Sequence, residues 1–317
     1  MPVKSPSNEI QLTRIYNHPV KDVWAAWADP DRAAYWWGPR GFSIDTHSKD
    51  LRPGGHWHYT MYGPNKVEYV NKSQYFEVEK YKKLVYDHGG NDEQKPLFRV
   101  TVLFSEHDGK TKMDMTMTLP TPEAAEQSRK FIKEASGDST WDRLAEYLEK
   151  KATDRDLFVL NRSFNVPIEK MFEAWTEPKH LAQWLAPKGF EMEFFKCDIK
   201  SGGSTFSCMS GPGGKKMYGR SDYLRVEKPT LIEYTQQFCD ENEKVTRHPM
   251  APTWPETMLT TVELTQEDTE QTRVTITWEC HGETSIPELA TFIQARNGMH
   301  QGWTGSLDKL EEYLFEL

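Results

Sequence analysis

The chain has 317 residues, 37% of them apolar and 12% aromatic, which suits two packed cores and excludes a disordered chain. Acidic residues outnumber basic ones by 48 to 39, and the net charge of −9 argues against a partner made of nucleic-acid phosphates or anionic lipid. No apolar run reaches the roughly 18 residues of a membrane span, and the N-terminal MPVKSPSNEIQL lacks an apolar signal core, so a cytoplasmic protein is expected.

Residues 10–16 alternate apolar and polar positions and predict a strand. Pro19 suits the first turn of a helix, where its missing N–H costs nothing, and Val23, Trp24 and Trp27 give that helix one apolar face. Asp29-Pro30 ends it, and a second short helix carries Trp36 and Trp37 before Gly38-Pro39 and Gly41 break the chain. The turn at 52–55 leads into a strand at 56–61, with further strands expected over 66–79 and 84–88. Segments 99–105 and 112–119 flank the turn His107-Asp108-Gly109, as in a hairpin. Met113, Met115 and Met117 alternate with Asp114, Thr116 and Thr118, the pattern of an antiparallel sheet with one buried face. Pro122 then opens a long closing helix, expected to run to Leu148.

The whole pattern recurs. Residues 12–42 and 160–190 align without a gap at an offset of 148, with Trp27/Trp175, Trp36/Trp184, Gly41/Gly189 and Phe42/Phe190 among the identities. The same offset carries through Asp50/Asp198, Gly54/Gly202, Gly55/Gly203, Tyr75/Tyr223 and Tyr86/Tyr234. Near the ends DRLAEYL (142–148) matches DKLEEYL (308–314) at an offset of 166, so the second copy carries about 18 more residues, placed mostly at about 236–255. Such a period means two whole domains of one fold, 1–151 and 152–317, and not a solenoid. In the second copy Val274, Ile276 and Trp278 form the last strand's apolar face, and the closing helix begins near Pro287. Residues up to Lys150 carry a net charge of −1 and the rest −8, so the copies differ in surface character.

The runs VWAAWADPDRAAYWWGPRGF and DLRPGGHWHYTM, and in the second copy MYGRSDYLRVEKPTLIEY, VTRHPMAPTWPETML and MHQGWTGSLDKLEEYL, resemble the START-like (SRPBCC) superfamily. Within it they are most similar to the domain named for activators of the heat-shock protein 90 ATPase. The resemblance covers nearly the whole chain, twice. It implies an α+β, helix-grip (Bet v 1-like) fold: a curved antiparallel sheet around a long C-terminal helix, two short helices after the first strand, and a hydrophobic cavity between sheet and helix. Relatives bind lipids, hormones or polyketides, cyclise aromatic precursors or serve as co-chaperones. The first copy departs from the pattern by lacking both the insert and a counterpart of Gly302-Trp303 near Gly137.

A cavity of that kind takes small apolar molecules held by a few polar groups. Its wall in the first copy is expected from Trp27, Trp36, Trp37 and Phe42, then Trp57 and Met61, then Met113 and Met115. In the second it is expected from Trp175, Trp184 and Phe190, then Phe206 and Met209, then Trp254, Met258, Trp278 and Trp303. The same rings would stabilise a core without any ligand. Trp36 and Trp184 sit on short segments bounded by Pro and Gly that could gate a pocket. The insert brings together Arg247, His248, Trp254 and Glu256. Arg247 would suit an anionic head group, and His248 is the one weak candidate for an acid or base. Otherwise the insert is a cover pinned by its prolines.

Other candidates read as structural. His56 and His58 share a strand face, but with His88 as the only recruit they fall short of a zinc set, and no metal or cofactor is expected. Asp50 and Asp198 precede tight turns, where carboxylates accept local N–H groups. Arg14 and Arg162 invite salt bridges. Cys197, Cys208, Cys239 and Cys280 match no zinc or redox spacing. No nucleophile sits in a G-x-S-x-G turn. The reading that follows is a non-catalytic carrier or sensor of a hydrophobic small molecule. The alternatives are an enzyme of the aromatase/cyclase or hydrolase type, and a co-chaperone with a chaperone partner.

Overall fold

A computed structural model of the chain describes residues 7–91, 94–134 and 137–316. The start of the N-terminal segment read above, residues 1–6, and positions 135 and 136 of the expected closing helix lie outside the described residues. The chain divides into two compact units, Met1–Asp154 and Arg155–Leu317.

The first unit runs β1 (Glu9–Tyr16), α1 (Val20–Ala28), α2 (Pro30–Trp36), then β2 (Ser43–Lys49), β3 (His56–Tyr62), β4 (Glu68–Glu79), β5 (Lys83–Gly90), β6 (Phe98–His107) and β7 (Lys110–Thr118), and closes with α3 (Pro122–Glu134) and α4 (Ser139–Thr153). Its strands form one sheet in the order β1-β7-β6-β5-β4-β3-β2. The second unit repeats this with β8 (Phe158–Phe164), α5 (Ile168–Thr176), α6 (Pro178–Trp184), β9 (Glu191–Cys197), β10 (Ser204–Ser210), β11 (Lys216–Glu227), β12 (Leu231–Cys239), β13 (Met258–Asp268), β14 (Gln271–Cys280) and α7 (Ile286–Glu316). Its order, β8-β14-β13-β12-β11-β10-β9, is the same. Every neighbouring pair is antiparallel. These are two α+β, helix-grip domains in tandem. No helix among the described residues is long and apolar enough to cross a membrane.

Local chemistry explains the corners. Asp29 ends α1 and caps α2, its carboxylate accepting the Asp31 N–H at 2.9 Å, with Pro30 in the first turn. At each Gly-Gly turn the first glycine has φ +79°, which favours glycine, and the second leaves no room for a side chain. A Cβ on Gly55 would stand 2.2 Å from the Asp50 carbonyl oxygen, and one on Gly203 2.1 Å from that of Asp198.

Two expectations need correction. The first unit's closing helix is not continuous. The Gly137 N–H turns back to the Ile132 carbonyl at 2.7 Å, and α4 starts afresh at Ser139. Gly137 and Asp138 form a turn there, and glycine is the poorest helix former after proline. In the second unit α7 is unbroken over 31 residues. The extra loop also begins later than expected, because β12 pairs with β11 as far as Cys239. The pair Leu84 and Val102 corresponds to Ile232 and Val262, so the offset rises from 148 to 160 across the loop 240–257.

Each core lies between sheet and closing helix. Leu144, Tyr147 and Leu148 of α4 face the first sheet. Phe292, Met299, Trp303, Leu307 and Leu310, spaced along one face of α7, meet the second.

Candidate functional site

In the first unit buried aromatic rings pack on one another beneath the closing helix. Trp27, Trp36, Trp37, Trp57 and Tyr59 are each 5% exposed or less. Trp141 lies flat on Trp27 at 5.7 Å, and Trp37 meets Trp57 at 4.8 Å. Trp37 donates its indole N–H to the Tyr59 hydroxyl, Trp57 to Thr46 Oγ1 and Trp36 to the Ala26 carbonyl, each at 3.1 Å. Met113 and Met115 are buried below them. Met61 is half-buried against Gly38, and Phe42 lies beside Tyr69.

The second unit has the same frame with smaller residues. At the offset of 148, Leu185 stands for Trp37, Thr205 for Trp57 and Ser207 for Tyr59. All three line a cavity of about 570 Å³. Trp175, Trp278 and Trp303 form one aromatic wall. Trp303 stacks on Trp175 at 6.0 Å, and Trp278 stands edge-on to Trp303 at 5.7 Å. The stack on Trp175 thus comes from one helical turn earlier than Trp141's on Trp27, since Leu307 takes Trp141's aligned place. The Trp175 indole N–H is buried without an acceptor, but so is that of Trp27, which assigns this feature to the fold and not to the cavity.

The loop 240–257 supplies part of the wall through His248 and Trp254. His248 sits edge-on to Phe238 at 4.6 Å, and its Nδ1 accepts the Met250 N–H at 3.1 Å. Burial lowers its pKa and favours the neutral ring. Arg247 turns away to the Glu288 carboxylate, with Glu256 at 3.7 Å. The Ser285 backbone and hydroxyl, with Arg247, hold Glu288 down at about 2. Thr253 and Thr291 hydroxyls meet at 2.8 Å, so the loop is fastened to the first turns of α7.

The polar inventory of the cavity is short. Gln236 accepts from Thr260 Oγ1 at 3.3 Å, and Ser207 and Ser221 add hydroxyls. Arg220 touches the cavity from the alternate register to Ser221 and Tyr223, and its guanidinium is held by Asp222 at 2.8 and 3.0 Å. Among the described residues, those lining the cavity include no carboxylate and no lysine. Such a site can enclose an apolar molecule and meet an uncharged polar group.

Of the residues singled out in the sequence, Trp175, Met209, His248, Trp254, Trp278 and Trp303 come together on the cavity. The others stand elsewhere. Trp184 is fully buried and donates to the Ala174 carbonyl at 2.9 Å, as an anchor between α5 and α6. Phe206 faces the opposite side of the sheet, stacked on Tyr218 and tilted against Phe195, because strand alternation turns Thr205, Ser207 and Met209 inward. Met258 is packed in the core, and Phe190 lies against Gly211. Sequence reasoning missed Leu185, Thr205, Ser207 and Gly298, and met Gly302 only as part of the Gly302-Trp303 pair that the first copy lacks. A signal for the first three was there: small residues aligned with large aromatics of the other copy.

The remaining candidates are structural. His56 and His58 lie on the outer face of β3, His58 against His47 at 4.8 Å, whereas His88 packs inside against Phe98 at 5.0 Å. The three do not converge. Asp50 pairs with Arg52 at 2.8 Å and Asp198 with Lys200 at 3.1 Å, both at exposed turns. Arg162 pairs with Asp308 at 2.7 Å and with Glu311, and Arg14, together with Arg40, is a cation whose field acts on buried Asp142. All four cysteines are free.

No curated protein matches the chain. Solved structures that resemble it each match about half of it. Protein Ms6760 from Mycobacterium smegmatis has 19% identity and a TM-score of 0.43, covering 51% of this chain and 91% of that one. Protein NE0264 from Nitrosomonas europaea has 22% identity and a TM-score of 0.42, covering 48% and 99%. A Staphylococcus epidermidis protein has 26% identity and a TM-score of 0.41, covering 51% and 91%. The sequence profile of one family matches both repeats, at residues 17–149 and 165–315, and the chain belongs to that family, described as Activator of Hsp90 ATPase homolog 1-like protein.

Proposed function

We propose that the second unit binds a hydrophobic small molecule between its sheet and α7, as a carrier or sensor that performs no chemistry on it, and that the first unit is its filled counterpart. One observation carries this reading: Trp37, Trp57 and Tyr59 give way to Leu185, Thr205 and Ser207 around a cavity of about 570 Å³. Replacing a buried aromatic by a small residue costs about 3–5 kcal/mol when the space stays empty. A bound apolar molecule offsets that loss by restoring contacts. The enzyme alternative needs a carboxylate to work with His248. The described lining residues provide none, and His248 Nδ1 is engaged by the Met250 N–H.

Titration of the full chain with Nile red, a neutral apolar dye, tests the reading. One dye per chain is expected, and Ser207→Tyr, which installs the first unit's residue, should weaken it at least about tenfold. Two equivalent sites per chain, or binding indifferent to Ser207→Tyr, would refute it. The family's description keeps a chaperone ATPase as the alternative partner. That alternative predicts a change in the turnover of such an ATPase at saturating protein.

A further inference from the structure

Beside Met299 and Trp303, α7 lines the cavity with a row of small residues, Ala295, Gly298, Gly302 and Ser306, spaced three, four and four residues apart. At about 1.5 Å per residue this makes a furrow of roughly 16 Å along the helix. A glycine inside a helix is ordinarily explained by a close neighbour or an unusual backbone angle. Neither applies here. A Cβ added at Gly298 or Gly302 would meet nothing within 4 Å, whereas one at Gly305, just off the furrow, would touch Pro187 at 3.6 Å. Both glycines weaken α7 relative to alanine, and what they leave is open space. The sheet side of the cavity is likewise reduced at Thr205, Ser207 and Gly219.

The furrow contains no free charge. Arg247 is bound to Glu288 and Glu256, and Arg220 is bound to Asp222. The other polar groups are the hydroxyls of serine, threonine and tyrosine side chains, the Gln236 amide and the His248 ring, all uncharged or biased to the neutral form. An ammonium brought into this space would meet no carboxylate, and a carboxylate would meet as cation only Arg220 among the described lining residues, already paired with Asp222, so either would lose its hydration without full replacement.

We propose that the ligand of the second unit is an elongated, uncharged and mostly apolar molecule laid along α7, and that Gly298 and Gly302 determine which molecules fit. This rests on the cavity being a ligand site. It adds the ligand's shape and charge and the two residues that select it.

Displacement of Nile red from the full chain by 1-alkanols is the test. From 1-octanol to 1-dodecanol the displacing concentration should fall about fourfold per methylene. Dodecanoate at pH 8 should be at least tenfold weaker than 1-dodecanol. Gly302→Ala should raise a thermal unfolding midpoint by about 2–4 °C, since it adds helix propensity without a clash. The same change should weaken 1-dodecanol roughly tenfold, the scale on which one methylene in a pocket discriminates, and 1-octanol less. Gly298→Ala is the second variant, with the same expected split. Equal affinity for dodecanoate overturns the charge assignment. Dye binding with no competition by alkanols overturns the shape. Alanine variants that are less stable, or that keep the wild-type dependence on chain length, overturn the role of the glycines. Failure of Nile red itself to bind defeats the underlying reading instead.

Discussion

Trp57 and Tyr59 of the first unit and Thr205 and Ser207 of the second occupy matching places on matching strands, β3 and β10. The first pair is sealed into a network of indoles, with 4.4 Å between its rings, and the second pair faces open space. The same contrast runs through the ion pairs. Arg40 and Glu146 meet at 2.5 and 3.1 Å with side chains 5% and 8% exposed, while their counterparts Lys188 and Glu312 meet at 2.8 Å with both 64% exposed. The helix-grip frame is therefore indifferent to whether its interior is filled. Strand order and corner residues set the frame, and a few inward-facing side chains set its contents.

The strongest way to break the comparison is to hollow the first unit. Trp57→Thr combined with Tyr59→Ser should destabilise it by about 3–5 kcal/mol for each residue taken alone. The two rings touch, so the double variant should depart from the sum of the singles. Denaturant unfolding followed by tryptophan fluorescence measures this. A loss under about 1 kcal/mol would mean that the first unit does not depend on its aromatic filling. A second Nile red site in a variant that stays folded would show that ring size alone separates the two interiors.

Next in size is the ion pair. Glu146→Ala takes the bidentate carboxylate from the buried Arg40 guanidinium, leaving the field of Asp142, and should cost about 3 kcal/mol. Glu312→Ala removes the same partner in water, and its unfolding curve should overlay the wild type. Equal effects of the two changes would show that burial does not distinguish the bridges.

Much of the frame was readable in the residues. The offset of 148 aligned strands, short helices and turns, because each corner needs a specific chemistry: Asp29 as a cap, Pro30 in a first turn, glycine where φ is positive. The cavity was harder to read. Aromatic residues draw attention, and Phe206 and Trp184 were expected on its wall, yet one faces outward and the other is an anchor. A void is made by what is missing, so its markers include Thr205, Ser207 and Gly298, which individually look like nothing. They become informative only against the other copy or in three dimensions. The break at Gly137 escaped notice because the residues around it, 122–148, otherwise suit a helix.

The smallest contrast concerns one position in β5 and β12, where His88 of the first unit corresponds to Gln236 of the second. The His88 ring stacks on Phe98 at 5.0 Å with Trp37 at 6.5 Å, and burial lowers its pKa from 6.5 to about 4. In the unfolded chain an ordinary histidine takes its proton near pH 6.5. Between pH 6.5 and 4 the unfolded state thus binds more protons than the folded one, and stability falls as the pH is lowered through that window. The loss reaches at most about 3 kcal/mol, and less to the extent that His88, which is only half-buried, stays solvated. Asp142 works in the opposite sense. Burial pushes its carboxyl up to about 7 against the attraction of Arg14 and Arg40, so its protonation favours the folded state as the pH falls below 7. The raw pH profile therefore mixes two trends, and the comparison that isolates one is wild type against His88→Gln. The variant should gain on the wild type steadily from pH 6.5 to 4 and show a constant difference above pH 7.5, read as unfolding midpoints across the series. A difference that stays flat over the whole range would mean that the ring is not held neutral by its neighbours, and that the two units do not differ at this position in the way their packing implies.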